Sequence, residues 1–259
     1  MLKIVVLSEN TACSDDFGCE HGLSLYIETE NKKILFDMGQ TDLFAVNAVK
    51  SGVDLSEVDF AVLSHGHYDH GGGLEKFLEI NSYAPVYLHK NAFGQHYNGT
   101  EKYIGLDMSL RNSERLIYTC GITQIESGIT LFDCNSSERA YDMQSGGLNV
   151  KIDGEFYSDP FLHEHYLLIE DNGKKILLSG CSHKGVLNIT EWFKPDVFVG
   201  GFHFSKLPLN SSLKAYSQKL ASYGTAYYTC HCTGTEQFKY MKNYIRNLDY
   251  ISAGSEFIL

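Results

Sequence analysis

Three imidazoles and one carboxylate fall in the short stretch His65-Gly66-His67-Tyr68-Asp69-His70, directly after the apolar run Ala61-Val62-Leu63. Exposed histidines add little to folding, and several buried together repel one another once protonated. A divalent metal reverses that balance, because neutral imidazole and carboxylate are favoured ligands of zinc and iron. Gly66 and the run Gly71-Gly72-Gly73 allow the tight turn that such convergence needs. The competing reading is a polar strand-to-helix loop with a capping aspartate. The density of ligand types in one loop favours the metal. A divalent ion lowers the pKa of a bound water towards about 7, giving a hydroxide that attacks ester or phosphoester centres. Asp69 is then the carboxylate best placed to orient that water and shuttle its proton.

The elements that must carry this loop form a weak internal echo. Ile27 to Phe36 aligns without a gap on Ile169 to Leu178, each reading as two short apolar runs around a polar turn, hence a β-hairpin. A helix-like stretch follows each hairpin, Asp42 to Ser51 and Lys184 to Phe193. Each leads to a buried-looking strand, Asp59 to Leu63 and Asp196 to Val199. Further strand-like runs, Val86 to His89 and Tyr227 to His231, both end on histidine. The pattern predicts an α/β chain in one domain spanning residues 1–259, made of two similar halves whose sheets pack face to face with helices outside. Between the halves, roughly Asn91 to His163, the sequence loses its periodicity, and a lid or wall over a site is expected there.

Composition narrows the function. The chain has 259 residues, 43% hydrophobic and 20% charged, with a formal net charge of −11. An acidic surface repels phosphate backbones, so sequence-independent nucleic-acid binding is set aside. The apolar run Ile4 to Leu7 is too short for a signal peptide or a membrane span. Seven cysteines, an odd number, suit reduced thiols better than a disulfide framework. A cytoplasmic protein with a small-molecule substrate and no membrane partner is expected; no oligomeric state is implied.

His65-Gly66-His67-Tyr68-Asp69-His70 resembles the HxHxDH signature of the metallo-β-lactamase superfamily. That resemblance extends over nearly the whole chain and implies an αββα sandwich of two similar halves. Glu20-His21-Gly22-Leu23-Ser24, Asp37-Met38-Gly39-Gln40, Gly180-Cys181-Ser182-His183-Lys184-Gly185, Gly200-Gly201-Phe202-His203 and His231-Cys232-Thr233-Gly234 are similar to a branch of dihydropterin-ribofuranosylaminobenzene phosphate synthases and related hydrolases. The resemblance implies that His65 and His67 bind one metal and Asp69 and His70 a second, most simply zinc, with manganese or iron as alternatives. It places Cys181 where the superfamily carries a bridging aspartate. Either Cys181 or His183, two residues on, then completes the centre, and His231 is the expected final ligand. Cys230 and Cys232 are expected to be small buried thiols. By position, His89 and His203 are substrate contacts or alternative ligands, since ligands gather beyond strand ends. His163 and His165 lie where a third histidine is often found. His96, Tyr97 and Tyr103 could line a pocket, and Asp37, His21 and Ser24 could orient the metal loop.

The reading that follows is a dinuclear metal-dependent hydrolase of a small, anionic substrate such as a phosphoester, a lactone or a related ester. The alternative is a transferase joining a pterin diphosphate to a ribosylaminobenzene phosphate. Redox chemistry at two irons fits less well, because related flavin-linked members carry a carboxylate at the position of His67. A sensor that keeps the fold without turnover is disfavoured by the intact motif.

Overall fold

The computed structural model describes residues 2–142 and 146–259. In one sheet, Lys3–Ser8 pairs antiparallel with Ser24–Glu28, which turns back through Lys33–Phe36. Phe60–Leu63, Val86–His89 and Leu116–Thr119 then add in parallel. In the other, Tyr166–Asp171 turns back into Lys174–Ser179, and Val197–Gly200, Ala226–Thr229 and Leu248–Tyr250 follow in parallel. Among the described residues each sheet has seven strands, and both begin their parallel run from a hairpin, as the internal echo implied. Helices Leu43–Lys50 and Val186–Phe193 make the first crossover in each half.

Burial alternates along the strands in the way that a four-layer sandwich demands. Ile4 and Val6 point into a core shared with Leu167, Ile169, Ile176 and Leu178 of the opposite sheet. Val5 and Leu7, on the other face, pack with Phe44 and Ala48 of a helix. In the second half Leu177 and Phe198 meet Val186, Leu187 and Ile189 in the same manner. The layers therefore run helix, sheet, sheet, helix, and both faces of each sheet are covered.

The stretch Asn91 to His163 departs from the aperiodic reading. It contributes Leu116–Thr119 to the first sheet, and Ile129–Phe132 and the edge strand Ile122–Glu126 to the second. It also holds a separate sheet of His96–Asn98, Lys102–Tyr103, Leu148–Ile152 and Glu155–Ser158. Among the described residues, no helix is long and apolar enough to cross a membrane.

Candidate metal centre

The parallel strands of both sheets end at one edge, and the chain leaves each through a loop that carries a ligand-type side chain. Phe60–Leu63 is wholly buried and runs into Ser64 and His65, after which Tyr68–Gly71 makes a single helical turn. The loop is pinned by its glycine: a Cβ on Gly66 would stand 2.0 Å from the Ala92 carbonyl oxygen. From the second half come Cys181 and His183 after Lys174–Ser179, and His231 in the turn after Ala226–Thr229.

Buried Asp37, just past Lys33–Phe36, sets the protonation pattern. Its Oδ1 accepts the Ser64 backbone N–H at 2.7 Å, and its Oδ2 accepts the Ser64 hydroxyl at 2.7 Å and His70 Nδ1–H at 2.6 Å. The Ser64 hydroxyl, having given its proton to Asp37, accepts from His65 Nδ1 at 2.9 Å. Both imidazoles therefore present an unprotonated Nε2 to the cavity, the form in which imidazole binds metal. His231 is set likewise: Nδ1 donates to Asn10 Oδ1 at 2.7 Å, and its backbone N–H is held by buried Glu9.

The free nitrogens converge. His65 Nε2 stands 3.3 Å from His183 Nε2, and His70 Nε2 stands 3.2 Å from Cys181 Sγ. Asp69 Oδ2 lies 3.4 Å from His231 Nε2 and 3.9 Å from His70 Nε2. A tetrahedral ion with bonds of about 2.0–2.3 Å holds its ligands about 3.3–3.8 Å apart, so these separations suit one. His67 Nε2, His183 Nδ1 and His231 Nε2 are buried without a hydrogen-bond partner, each an expensive state for a polar atom. His65, His67 and His183 form one group of ligand atoms; His65, His70 and Cys181 form another, and Asp69 and His231 a third with His21. The donor set thus fits divalent metal.

Electrostatics agree for His65 and Asp69, whereas Asp37 and Asp69 outweigh burial at His70 and raise it above the ordinary histidine value, so an ion must displace a proton there. Burial lowers His65 well below the usual histidine range, and the neighbouring His70, His67 and His183 push it further. Burial opposes ionisation of Asp69, but His70, His21 and His231 outweigh it and hold the carboxyl well below its usual range. Burial pushes the Cys181 thiol well up, with Cys232 adding to the shift.

Cys181 and His183 were alternatives in the sequence; the structure brings both in. Ser182 adopts φ +57, which turns the chain so that Cys181 reaches His70 while His183 reaches His65. Buried Glu164 fastens this turn by accepting the His183 and Lys184 N–H groups, and Phe161 stacks on the His183 ring at 4.3 Å. A cavity of about 320 Å³ opens over the centre, lined among others by His21, His67, Asp69, Cys181, His183, His203 and His231, with Lys102 and Lys206 on its wall.

His89 is a correction. Its Nδ1 accepts from Asn91 N–H, and its Nε2 lies 3.3 Å from Asp133 Oδ2, so the strand-end parallel with His231 does not bring it to the cavity. His203 does line it, with its ring 4.4 Å from that of His183.

His165 also serves the fold. Its Nε2 donates to the Leu63 carbonyl at 2.8 Å, and Thr119 Oγ1 lies 3.3 Å from Nδ1. Burial, then nearby His89, lower its pKa to about 3. The unfolded chain takes up that proton first, so the stability His165 contributes is full above about pH 6.5 and drains away as pH falls towards the folded value. Wild type should therefore lose roughly 2–3 kcal/mol more than His165→Gln between about pH 7 and pH 4.5 in urea unfolding. Equal losses would assign the acid sensitivity elsewhere.

Sequence reasoning missed a buried network beside His67. Asp159 Oδ2 lies 2.8 Å from His96 Nδ1 and 3.3 Å from His163 Nε2. His163 Nδ1 accepts the Gly66 N–H at 2.9 Å, which places the remaining proton on Nε2, facing Asp159. His163 thus braces the backbone between two ligand-type histidines. Glu9 and Asn10 were missed too, although they leave Lys3–Ser8 at an edge of the same sheet as Phe60–Leu63.

A model of the metallo-beta-lactamase superfamily matches residues 17–224. An uncharacterized protein of Methanocaldococcus jannaschii is 32% identical, over 90% of this chain and 91% of that protein. The 7,8-dihydropterin-6-methyl-4-(beta-D-ribofuranosyl)-aminobenzene-5'-phosphate synthase of the same organism is 27% identical, over 98% of this chain and 95% of its own length. The crystal structure of Tm1679, described as a metal-dependent hydrolase of the beta-lactamase superfamily, aligns with a TM-score of 0.86 at 29% identity, covering 100% of this chain and 99% of that one.

Proposed function

The chain belongs to the metallo-beta-lactamase superfamily, and from that premise we propose that it is a dinuclear metal-dependent hydrolase of a small anionic ester, most simply a phosphoester. The observation that carries this reading is the convergence of unprotonated ring nitrogens, a thiol and a carboxylate at one cavity. His65, His67 and His183 would hold one ion; Asp69, His70, Cys181 and His231 would hold the other. Two bound divalent ions, zinc in the simplest case, would lower the pKa of a water towards about 7 and polarise the scissile bond.

The chain's own groups supply the rest. Asp69, kept ionised, orients the water and takes its proton. His21 Nε2 lies 3.2 Å from Asp69 Oδ2, and donation from that nitrogen helps keep the carboxylate ionised. Asn10 Nδ2 lies 3.2 Å from His21 Nδ1 and, with its oxygen engaged by His231, can only donate, so Nε2 carries the His21 proton. Lys102 and Lys206 give an acidic protein a local attraction for anions.

The transferase reading keeps one specific support. A second cavity of about 430 Å³, lined by Leu207, Leu213 and Tyr216 among others, shares His183, His203, Ser205 and Lys206 with the first. Two substrates could meet there, and one relative is a synthase by name.

The test is to purify the chain without added metal, count ions, and assay phosphoester and lactone panels with metal restored. About two ions per chain with turnover of a phosphoester supports the hydrolase. Full loading with silence across both panels refutes it, and a condensation product in the presence of two substrates selects the transferase. Lys102→Ala and Lys206→Ala are each expected to raise KM for a phosphoester about tenfold while kcat changes little, because each removes charge from the wall rather than from the reacting centre. Steady-state kinetics at low and high salt check this, and unchanged KM in both variants would place the substrate's charge elsewhere.

A further inference from the structure

Cys232 has no part in the reading above, yet its sulfur meets two of the groups that do. Cys181 Sγ, Cys232 Sγ and a ring nitrogen of His231 lie within 4.8 Å of one another, and all three residues are buried. All three also line the cavity. Resting on the dinuclear reading, we propose that Cys232 joins Cys181 as a second thiolate ligand of the metal position built on Asp69, His70 and His231. That position would then be thiophilic, taking zinc, cobalt(II) or cadmium in preference to manganese or magnesium.

Topology brings the sulfurs together. Lys174–Ser179 and Ala226–Thr229 are the two parallel neighbours of Val197–Gly200, so the loops leaving them flank the same strand end. Cys181 follows the first strand and Cys232 sits in the turn after the second. The sulfur has been given room: a Cβ on Gly201 would stand 2.4 Å from Cys232 Sγ. It has also been given a donor, because the His203 backbone N–H reaches Cys232 Sγ at 3.3 Å. Such an N–H stabilises sulfur that carries negative charge. The Cys232 thiol is now directed at the Cys181 carbonyl at 3.5 Å, a weak contact that deprotonation on metal binding would release. Cys230, only two residues earlier, instead packs in the core between the sheets with Val199 and Ile251. Location and not mere burial therefore separates the two cysteines.

X-ray absorption at the zinc edge of the zinc-loaded chain tests this, since sulfur neighbours near 2.3 Å are resolved from nitrogen and oxygen near about 2.0 Å. The expected wild-type result is about one sulfur per ion averaged over two ions, falling by about half in Cys232→Ser and by about half in Cys181→Ser. About half a sulfur per ion in the wild type, unchanged in Cys232→Ser, would overturn the inference. Two bound ions with no sulfur neighbour would overturn it while leaving the dinuclear reading in place. A chain that binds no zinc would sink both. Should a serine variant fail to fold, the wild-type spectrum decides alone.

Discussion

Asp37→Asn is expected to leave the chain folded and cost about 10³-fold or more in kcat/KM, with metal affinity weakened roughly 10–100-fold. The substitution is nearly isosteric, so the effect comes from protons. Asp37 accepts three hydrogen bonds, from the Ser64 N–H, the Ser64 hydroxyl and His70 Nδ1–H. An amide has one accepting oxygen and one donating nitrogen. If the oxygen keeps the Ser64 N–H, the amide nitrogen faces His70 Nδ1. The His70 proton must then move to Nε2, the atom beside Cys181 Sγ and Asp69. If the amide turns the other way, two donors face each other in the core, at a cost of about 1–3 kcal/mol. The first arrangement removes a ligand atom from the centre, and the second destabilises the Ser64 backbone that leads into the ligand loop. Ser64→Ala is a graded control, since it releases only His65 Nδ1 and leaves His70 on its carboxylate. Nitrogen-detected NMR of the His70 tautomer, with metal content after dialysis and steady-state kinetics, checks the chain of cause. A variant with the wild-type tautomer and full activity would show that Asp37 is a packing residue.

Much of this was legible because it is local in sequence. The strand Phe60–Leu63 reads as an apolar run, and the ligands of the following loop are close neighbours along the chain. The second hairpin reads equally well: Asn172 and Gly173 both adopt positive φ, the conformation that suits a two-residue turn between twisted strands. Groups acting across the chain left no such trace. Glu9 holds the His231 backbone from 222 residues away, and Asp159 reaches His96 from 63 residues away. No periodicity records contacts of that kind. The middle stretch read as aperiodic because its strands are short or lie at sheet edges, where Ile122–Glu126 alternates only between exposed and half-buried positions. The histidine ending each parallel strand was legible, but which way its ring turns depends on backbone that the sequence does not display. His231 takes φ +50 in the turn beyond its strand and enters the cavity, whereas His89 stays on its strand and turns to Asp133.

Stripping the metals with a chelator is expected to lower Tm by about 15–30 °C, with the fold recovered on adding zinc back. A ligand present at a thousand times its dissociation constant stabilises the folded state by about 4 kcal/mol, so two tight sites supply about 8. For a chain of this size each kcal/mol moves Tm by about 2–4 °C. The stripped state also keeps what the ions would satisfy, namely the buried and unpartnered Nε2 atoms of His67 and His231. The pH dependence of the gap follows from which ligands hold protons. Burial has already lowered His231 to about 4, so at neutral pH protons compete little for that nitrogen. Cys181 runs the other way: burial and Cys232 raise its thiol, so an ion must displace a proton there. Proton release on binding makes the affinity rise with pH. The Tm difference between loaded and stripped protein should therefore widen from about pH 6 to pH 8, and Cys181→Ser should flatten that slope. Scanning calorimetry of both states across that interval measures it. Equal melting temperatures in the two states would mean that the converging histidines hold no ion, and the hydrolytic reading would fall with them.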